Sequence, residues 1–448
     1  MANSTGKLLI TLFDGVMEQM NKNTVFTSNT QVDSITPDRM QNASNVYWRT
    51  VEQQSPVIEG WDMTGNETGI IEQYYPLTLE TPKNDFVGMR VDDLRDKGFL
   101  DRRTMASAKK LNADQNKRIA DLIASTGSLY YESSSTGYDF IAEADTIMTE
   151  RQCAADMGRT FCLNPRTNQV MASDLASRDA PPMGISKSAW ETGLLNPNVA
   201  DFKVYRAPTY GTVAARLNAT TTTLSGNVTE VPAGYTTVSG NNVNVDYRYG
   251  VIPFTAVTNF QVGDIITITS AGGTPVNALG LMDKVDTGEL MTFKIIAIDS
   301  LNVTVYPKPI AADQAGITDE QAAYANISTS IDATDVISKV NVTGGQANSF
   351  WANDSICVVG GDAPLEILNE FDGMKVVSET LDSGVKLYMA YDARLDTLQA
   401  RVRLLLGTGW RIKIRAVTAV RCIPLNLIGG FGPHSLEFRN EKHVYYQP

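Results

Sequence analysis

Residues 89–110 read MRVDDLRDKGFLDRRTMASAKK and set adjacent carboxylates among cations. Asp92 and Asp93, with Asp96 close behind, are the residue types of a Mg²⁺ site or an acid–base dyad. Arg90, Arg95 and Lys97 stand in the same run. Cations that near depress carboxylate pKa values and occupy their oxygens. That suits neither a proton-holding acid nor an open metal site. The cluster reads as ion pairs, made within the chain or across to another subunit. Arg102 and Arg103 carry it into the next segment.

Other chemistry is sparse. The two histidines, His434 and His443, both lie near the end of the chain, which removes most His-based zinc sites and Ser-His or Cys-His nucleophiles from its body. Cys153, Cys162, Cys357 and Cys422 form no CxxC pair and read as reduced cytosolic thiols. There is no GxxxxGK[ST] string. The clusters GTG (407–409) and GGFG (429–432) lack the strand–turn–helix setting of a phosphate cradle. No catalytic residue, metal or cofactor is expected.

The elements that would position these residues follow from pattern and composition. The 448 residues are enough for two or three domains, and 43% are hydrophobic. The net charge of −12 argues against a freely diffusing protein that wraps nucleic acid by overall charge. The longest apolar runs, such as KLLITLF, fall far short of the ~20 residues of a membrane span. Asp14 and Glu18 interrupt any signal-peptide core.

Leu9, Phe13, Val16 and Met20 recur at helical spacing, whereas residues 21–45 show no period and read as an extended arm. NVYWRTVEQ (45–53) and TGIIEQYYPLTLE (68–80) predict a projecting β-hairpin. From Leu100 to Ser125 apolar and small residues repeat every three or four positions and Gly127 follows, predicting a helix roughly 37 Å long. Its other side carries Arg102, Arg103, Lys109, Lys110, Lys117 and Arg118, a face open to solvation, phosphate contact or intersubunit pairing. No aromatic residues interleave with them to stack bases.

Residues 137–220 read as mixed α/β, with an irregular exposed excursion over 164–190. Residues 219–310 are nearly all strand and turn signals, predicting a compact antiparallel β unit lodged in the chain. Thr318 with Gln321 makes a capping-box pattern. Residues 350–425 return to α/β texture, and 426–448 read as an irregular tail.

An arm, a hairpin, a long helix and no chemistry point to assembly. Several strings then matter: VEQQSPVIEGWDMT (51–64), NDFVGMRVDDLRD (84–96), RRTMASAKKL (102–111), VTVYPKPIAADQAGITDEQAAYANISTS (303–330) and NSFWANDSI (348–356). In order and spacing they closely resemble the major capsid (coat) protein of short-tailed, Salmonella-type double-stranded DNA bacteriophages. The resemblance implies the α+β tailed-phage capsid fold with an inserted small antiparallel β-barrel. It implies an N-terminal arm (1–45), an extended loop (46–86), a peripheral domain with its spine helix (87–149) and an axial domain (150–221). The inserted barrel (222–345), a second axial/peripheral part (346–425) and a tail (426–448) follow, and the tail departs from the family pattern.

The resemblance also implies hexamers and pentamers in an icosahedral shell enclosing DNA, a scaffolding protein, a portal protein, expansion on maturation, and residence in the virion. Contacts to neighbouring subunits are then expected from Glu59, Trp61 and Asp62 in the extended loop, and from Asp246 and Arg248 in the insert. Competing readings are a nanocompartment shell of the same fold enclosing protein cargo, and a β-rich carbohydrate-binding fibre or decoration protein. An enzyme using Asp92 and Asp93 comes last.

Overall fold

The computed structural model describes residues 10, 13–18, 20, 25–35, 46–51, 60–61, 64, 72–80, 84–90, 98–133, 135–153, 158–177, 198–207, 211–213, 221–233, 235–341, 345–353, 355–361, 374–381, 386–396, 399–408, 411–412, 415–416 and 425–428. The helix Phe99–Thr126 is its longest described element, about 42 Å at 1.5 Å per residue. Thr104, Ala108, Leu111, Gln115, Ile119, Ala120 and Ile123 line its buried stripe. Gly127 closes it by donating its N–H to Ile123 O at 3.0 Å.

This stripe organises one core. Phe13, Val16, Met20 and Phe26 from the chain start pack on it, together with Trp351, Ile356, Val358, Leu387 and Met389. Asn112 Nδ2 donates to Met20 O at 3.1 Å, so a polar residue within the stripe caps the incoming backbone. The helical spacing of Phe13, Val16 and Met20 thus marks a buried face; Leu9 lies outside the described residues.

The extended-arm reading of residues 21–45 is corrected over 26–35. A 3₁₀ turn, Thr27–Asn29, leads into the strand Gln31–Ile35, which pairs in parallel with Ile356–Gly361. Phe26 stacks on Trp351 at 5.6 Å, and the indole N–H donates to Asn29 O at 2.8 Å. The partners lie more than three hundred residues away in sequence, so no local period announces them.

A second core sits under the sheet ordered Leu129–Glu132, Leu425–Ile428, Gly345–Ala352, Arg159–Leu163, Phe202–Arg206. Phe161 stacks on Phe350 at 5.2 Å, and Phe140 and Phe202 meet it edge-on at 6.0 and 5.4 Å. The strand at 425–428 corrects the irregular reading of the tail at its start; residues 429–448 are outside the described residues. The irregular reading of 164–190 is corrected over Pro165–Ser177, which is helical; residues 178–190 lie outside the described residues. Asn164 Oδ1 accepts from Thr167 N at 2.8 Å and Pro165 takes the first helical position, a start signal hidden in a polar run.

The expected hairpin pairs Val46–Val51 with Gln73–Glu80, but it does not project alone: Gln73–Glu80 also pairs with Arg411–Ile412, which joins it to the sheet of Ile356–Gly361 and Gln31–Ile35. A further sheet joins Asn84–Arg90 to the meander Met374–Thr380, Lys386–Asp396, Gln399–Thr408.

Between residues 222 and 339 the chain builds its own antiparallel sheet. The order is Gly250–Pro253, Asn302–Tyr306, Thr292–Asp299, Ile265–Thr269, Val336–Lys339, Thr222–Thr223. Leu224 bridges Phe254, Ser225 N donates to Pro253 O at 3.0 Å and Thr255 N to Thr223 O at 2.9 Å. The last strand therefore returns to the first and the sheet closes as a barrel. Ile252, Phe254, Ile266, Ile268, Phe293, Ile295, Val303 and Val305 fill it. The fully buried Lys339–Asp264 pair (3.4 Å) sits at its side; Asp264 also accepts from Gln261 N and Asn341 Nδ2. Thr318 caps the short helix Asp319–Ala322 with both reciprocal bonds of a capping box.

Two outcomes test this packing. Phe161→Ala should lower stability by about 3–5 kcal/mol in denaturant titration, because three rings lose their shared centre. Lys339→Met leaves Asp264 buried without its cation, and should cost the barrel a similar amount, about 3–5 kcal/mol, read by loss of amide protection at Ile266 and Ile268.

Candidate assembly interface

The basic side of the long helix is stitched to its surroundings. Asp85, on the strand Asn84–Arg90, accepts from Ser107 Oγ at 2.6 Å and stands 3.7 Å from Arg103 and 4.0 Å from Lys110. Farther along, Lys117 pairs with Asp121 and Arg118 with Asp114, each one turn apart. Arg102 and Arg103 are exposed at the start of the helix. Arg90 ends the strand that holds Asp85, its backbone in register with Arg401. Asp92, Asp93, Arg95 and Asp96 lie outside the described residues, as do Glu59 and Asp62. The structure thus brings Arg103 to a carboxylate that the sequence analysis did not single out. The available signal was an acid on a strand leading into a helix with a basic first half.

The barrel docks where this helix ends. Lys294 Nζ donates to Ala124 O, and Thr292 Oγ1 donates to Ser128 O. Ala124, Tyr130, Val213, Ile265 and Ala347 form an apolar cluster across the joint. Gly211 belongs to the same approach: a Cβ there would lie 2.6 Å from Ala120 O. A second foothold follows the helix Tyr138–Glu150. Gln152 Oε1 accepts from Met282 N at 2.9 Å and Asp283 N at 3.1 Å, Leu281 N donates to Arg151 O, and Arg151 Nη1 reaches Met291 Sδ at 3.2 Å.

Burial pushes the Lys294 ammonium down to about 8. The carbonyl end of a helix favours a cation, so the fold limits a cost it does not remove.

The remaining candidates fall on opposite kinds of surface. Trp61 is 103% exposed, beside Gly60 at a φ of +119°. The strands Tyr235–Val238 and Asn241–Asn244 form a hairpin exposed on both faces, with Tyr235, Val238 and Val243 in solvent. Asp246 and Arg248 follow that hairpin, but Arg248 is 1% exposed and its charge is met by Asp246. Burial works to lower the guanidinium pKa; the hydrogen bonds and charge of Asp246 more than offset it. No helix among the described residues is long and apolar enough to cross a membrane.

Two outcomes test these contacts. Asp85→Ala should destabilise the chain by about 1–2 kcal/mol in thermal or urea unfolding, since one buried-side hydrogen bond and two partly exposed pairs go together. For Lys294 the folded pKa is lower than the ordinary 10.5, so the unfolded chain binds the extra proton between about pH 8 and 10.5, and stability rises with pH across that window. The full cost is present below about pH 8. Lys294→Met should remove this contribution. The wild-type denaturation midpoint should therefore gain on the variant's as pH climbs through that range, and parallel pH curves would contradict the assignment.

The CUS-3 coat protein I-domain is 27% identical over 28% of this chain and 97% of that chain, with a TM-score of 0.22. The capsid of cyanophage P-SCSP1u is 9% identical over 90% of this chain and 87% of its own, TM-score 0.39, and that of Ralstonia phage GP4 is 8% identical over 90% and 91%, TM-score 0.38. The family model described as P22 coat protein, gene protein 5, matches residues 1–413. The chain therefore belongs to the P22 coat protein family: it is a bacteriophage major capsid protein with the α+β tailed-phage capsid fold, a structural component of the virion and not an enzyme.

Proposed function

We propose that this coat protein assembles around an internal scaffolding protein into hexamers and pentamers of an icosahedral shell. A portal protein occupies one vertex, the shell encloses double-stranded DNA without reading its sequence, and it expands on maturation. The family match over residues 1–413 carries this reading. It also favours a coat protein over a nanocompartment shell or a carbohydrate-binding fibre. The structure supplies the kind of subunit such a shell needs: one core gathered on a rigid helix, separate cores beside it, and exposed projections that a monomer leaves unburied.

In this reading the chain divides into an arm (1–45), an extended loop (46–86), a peripheral domain (87–149), an axial domain in two parts (150–221 and 346–425), the inserted barrel (222–345) and a tail (426–448). Glu59, Trp61 and Asp62 contact a neighbouring subunit from the extended loop. Contacts between capsomers fall to the exposed hairpin that leads into Asp246 and Arg248. Arg90, Asp92, Asp93, Arg95, Asp96, Arg102 and Arg103 hold the junction into the long helix in register.

Electron microscopy of the protein expressed with its scaffolding partner should show closed shells, and a strictly monomeric protein would overturn the proposal. Asp93→Ala and Arg95→Ala should reduce particle yield more than monomer stability. Each exposed pair contributes only about 0–1 kcal/mol, but every copy repeats the loss. Unchanged yield for both variants would remove the junction role.

A further inference from the structure

The hairpin strand Gln73–Glu80 meets the inserted barrel unit at one described point. Tyr247 N donates to Tyr74 O at 3.2 Å, and Tyr74 and Asp246 form a parallel bridge. The Tyr75 ring is buried and tilts against Tyr247 at 6.2 Å. The Arg248 guanidinium lies 5.6 Å from the Tyr75 ring centre and 5.3 Å from that of Tyr249. Tyr249 in turn leans on Tyr306 of the barrel at 5.9 Å. One cation is therefore held between a ring from the hairpin and a ring tied to the barrel.

The charge of that cation is met from its own side. Arg248 Nε donates to Asp246 Oδ1 at 2.7 Å, and Nη2 pairs with Oδ2. Parting the hairpin from the barrel would lose a ring face, one backbone hydrogen bond and apolar burial, but would leave no orphaned ion. A contact of this kind can open without the several-kcal/mol penalty of splitting a buried pair. On the hairpin side, Gln73 directly precedes Tyr74, is 1% exposed, and neither its Nε2 nor its Oε1 has a hydrogen-bond partner among the described residues. An opening that uncovers Gln73 would return that amide to water.

We propose that Tyr74–Tyr75 and Asp246–Arg248 form a releasable latch between the loop end of the hairpin and the inserted barrel. Stacking of Tyr75 on Arg248 holds it shut, and the buried amide of Gln73 biases it towards opening. The latch makes the direction of the hairpin depend on the seating of the barrel, so two projections of the subunit move together.

Hydrogen–deuterium exchange on the full-length free subunit tests this, independently of whether shells form. Tyr75→Leu alters only the hairpin side and should speed exchange of the Tyr247 amide by about tenfold or more, with amides of 265–268 and 293–295 unchanged. Gln73→Leu should slow it several-fold. Adding Arg248→Met to Tyr75→Leu should give little further increase, since both act on one contact. Unchanged Tyr247 exchange in Tyr75→Leu, faster exchange in Gln73→Leu, or fully additive effects in the double variant would each overturn the latch. So would a matching rise in the barrel amides, which would make the contact inseparable from the fold.

Discussion

The structure depends on one rod with two unlike sides. A 28-residue helix buries a continuous stripe, and the chain start, Trp351 and the strands at 356–361 and 386–396 gather on it. Its exposed side is too charged to bury, so that side is neutralised in place by Asp85, Asp114 and Asp121. A helix of this length also ends in carbonyls with no partner of their own. The barrel meets that need by sending Lys294 to Ala124 O, which fixes where an inserted unit can sit.

That solution sets the order of dependence. The barrel has its own core and its own buried ion pair, so its stability is largely internal. Its placement is external, resting on the helix end, on Gln152 and on the strand that holds Tyr74. A coat subunit gains from this separation. In the proposed expansion, cores would survive while the joints between them, each a few hydrogen bonds and rings, take up changes of angle.

Local signals in the sequence carried the parts whose cause is local. The long helix, the Thr318–Gln321 capping box, the first hairpin and the strands between 235 and 306 all follow from spacing and turn chemistry within a short window. The helix at 165–177 has a local signal as well, in Asn164 and Pro165, but the surrounding polar run masks it. Phe26 against Trp351, Gln31–Ile35 against Ile356–Gly361, and Asp85 under Arg103 depend on partners brought together by the tertiary fold. Arg248 shows the same limit most sharply. In an Asn-rich turn beside Asp246 it has the pattern of a surface pair, and only the arrival of Tyr75 and the barrel rings buries it.

Closure of the barrel answers a hazard particular to a protein that must meet many copies of itself. An open sheet presents unpaired N–H and C=O groups along its edge, and identical chains at high concentration pair edge to edge. Joining Leu224 to Phe254 removes that edge from the inserted sheet. Two strands exposed outside it, Tyr235–Val238 and Asn241–Asn244, are four residues each, and the second is rich in Asn. Strands that short offer few ladder bonds, so side chains rather than backbone edges must decide which neighbour they accept. Under the proposed assembly, self-association would fall to such projections, the condition under which repeated weak contacts give a closed shell in place of an aggregate.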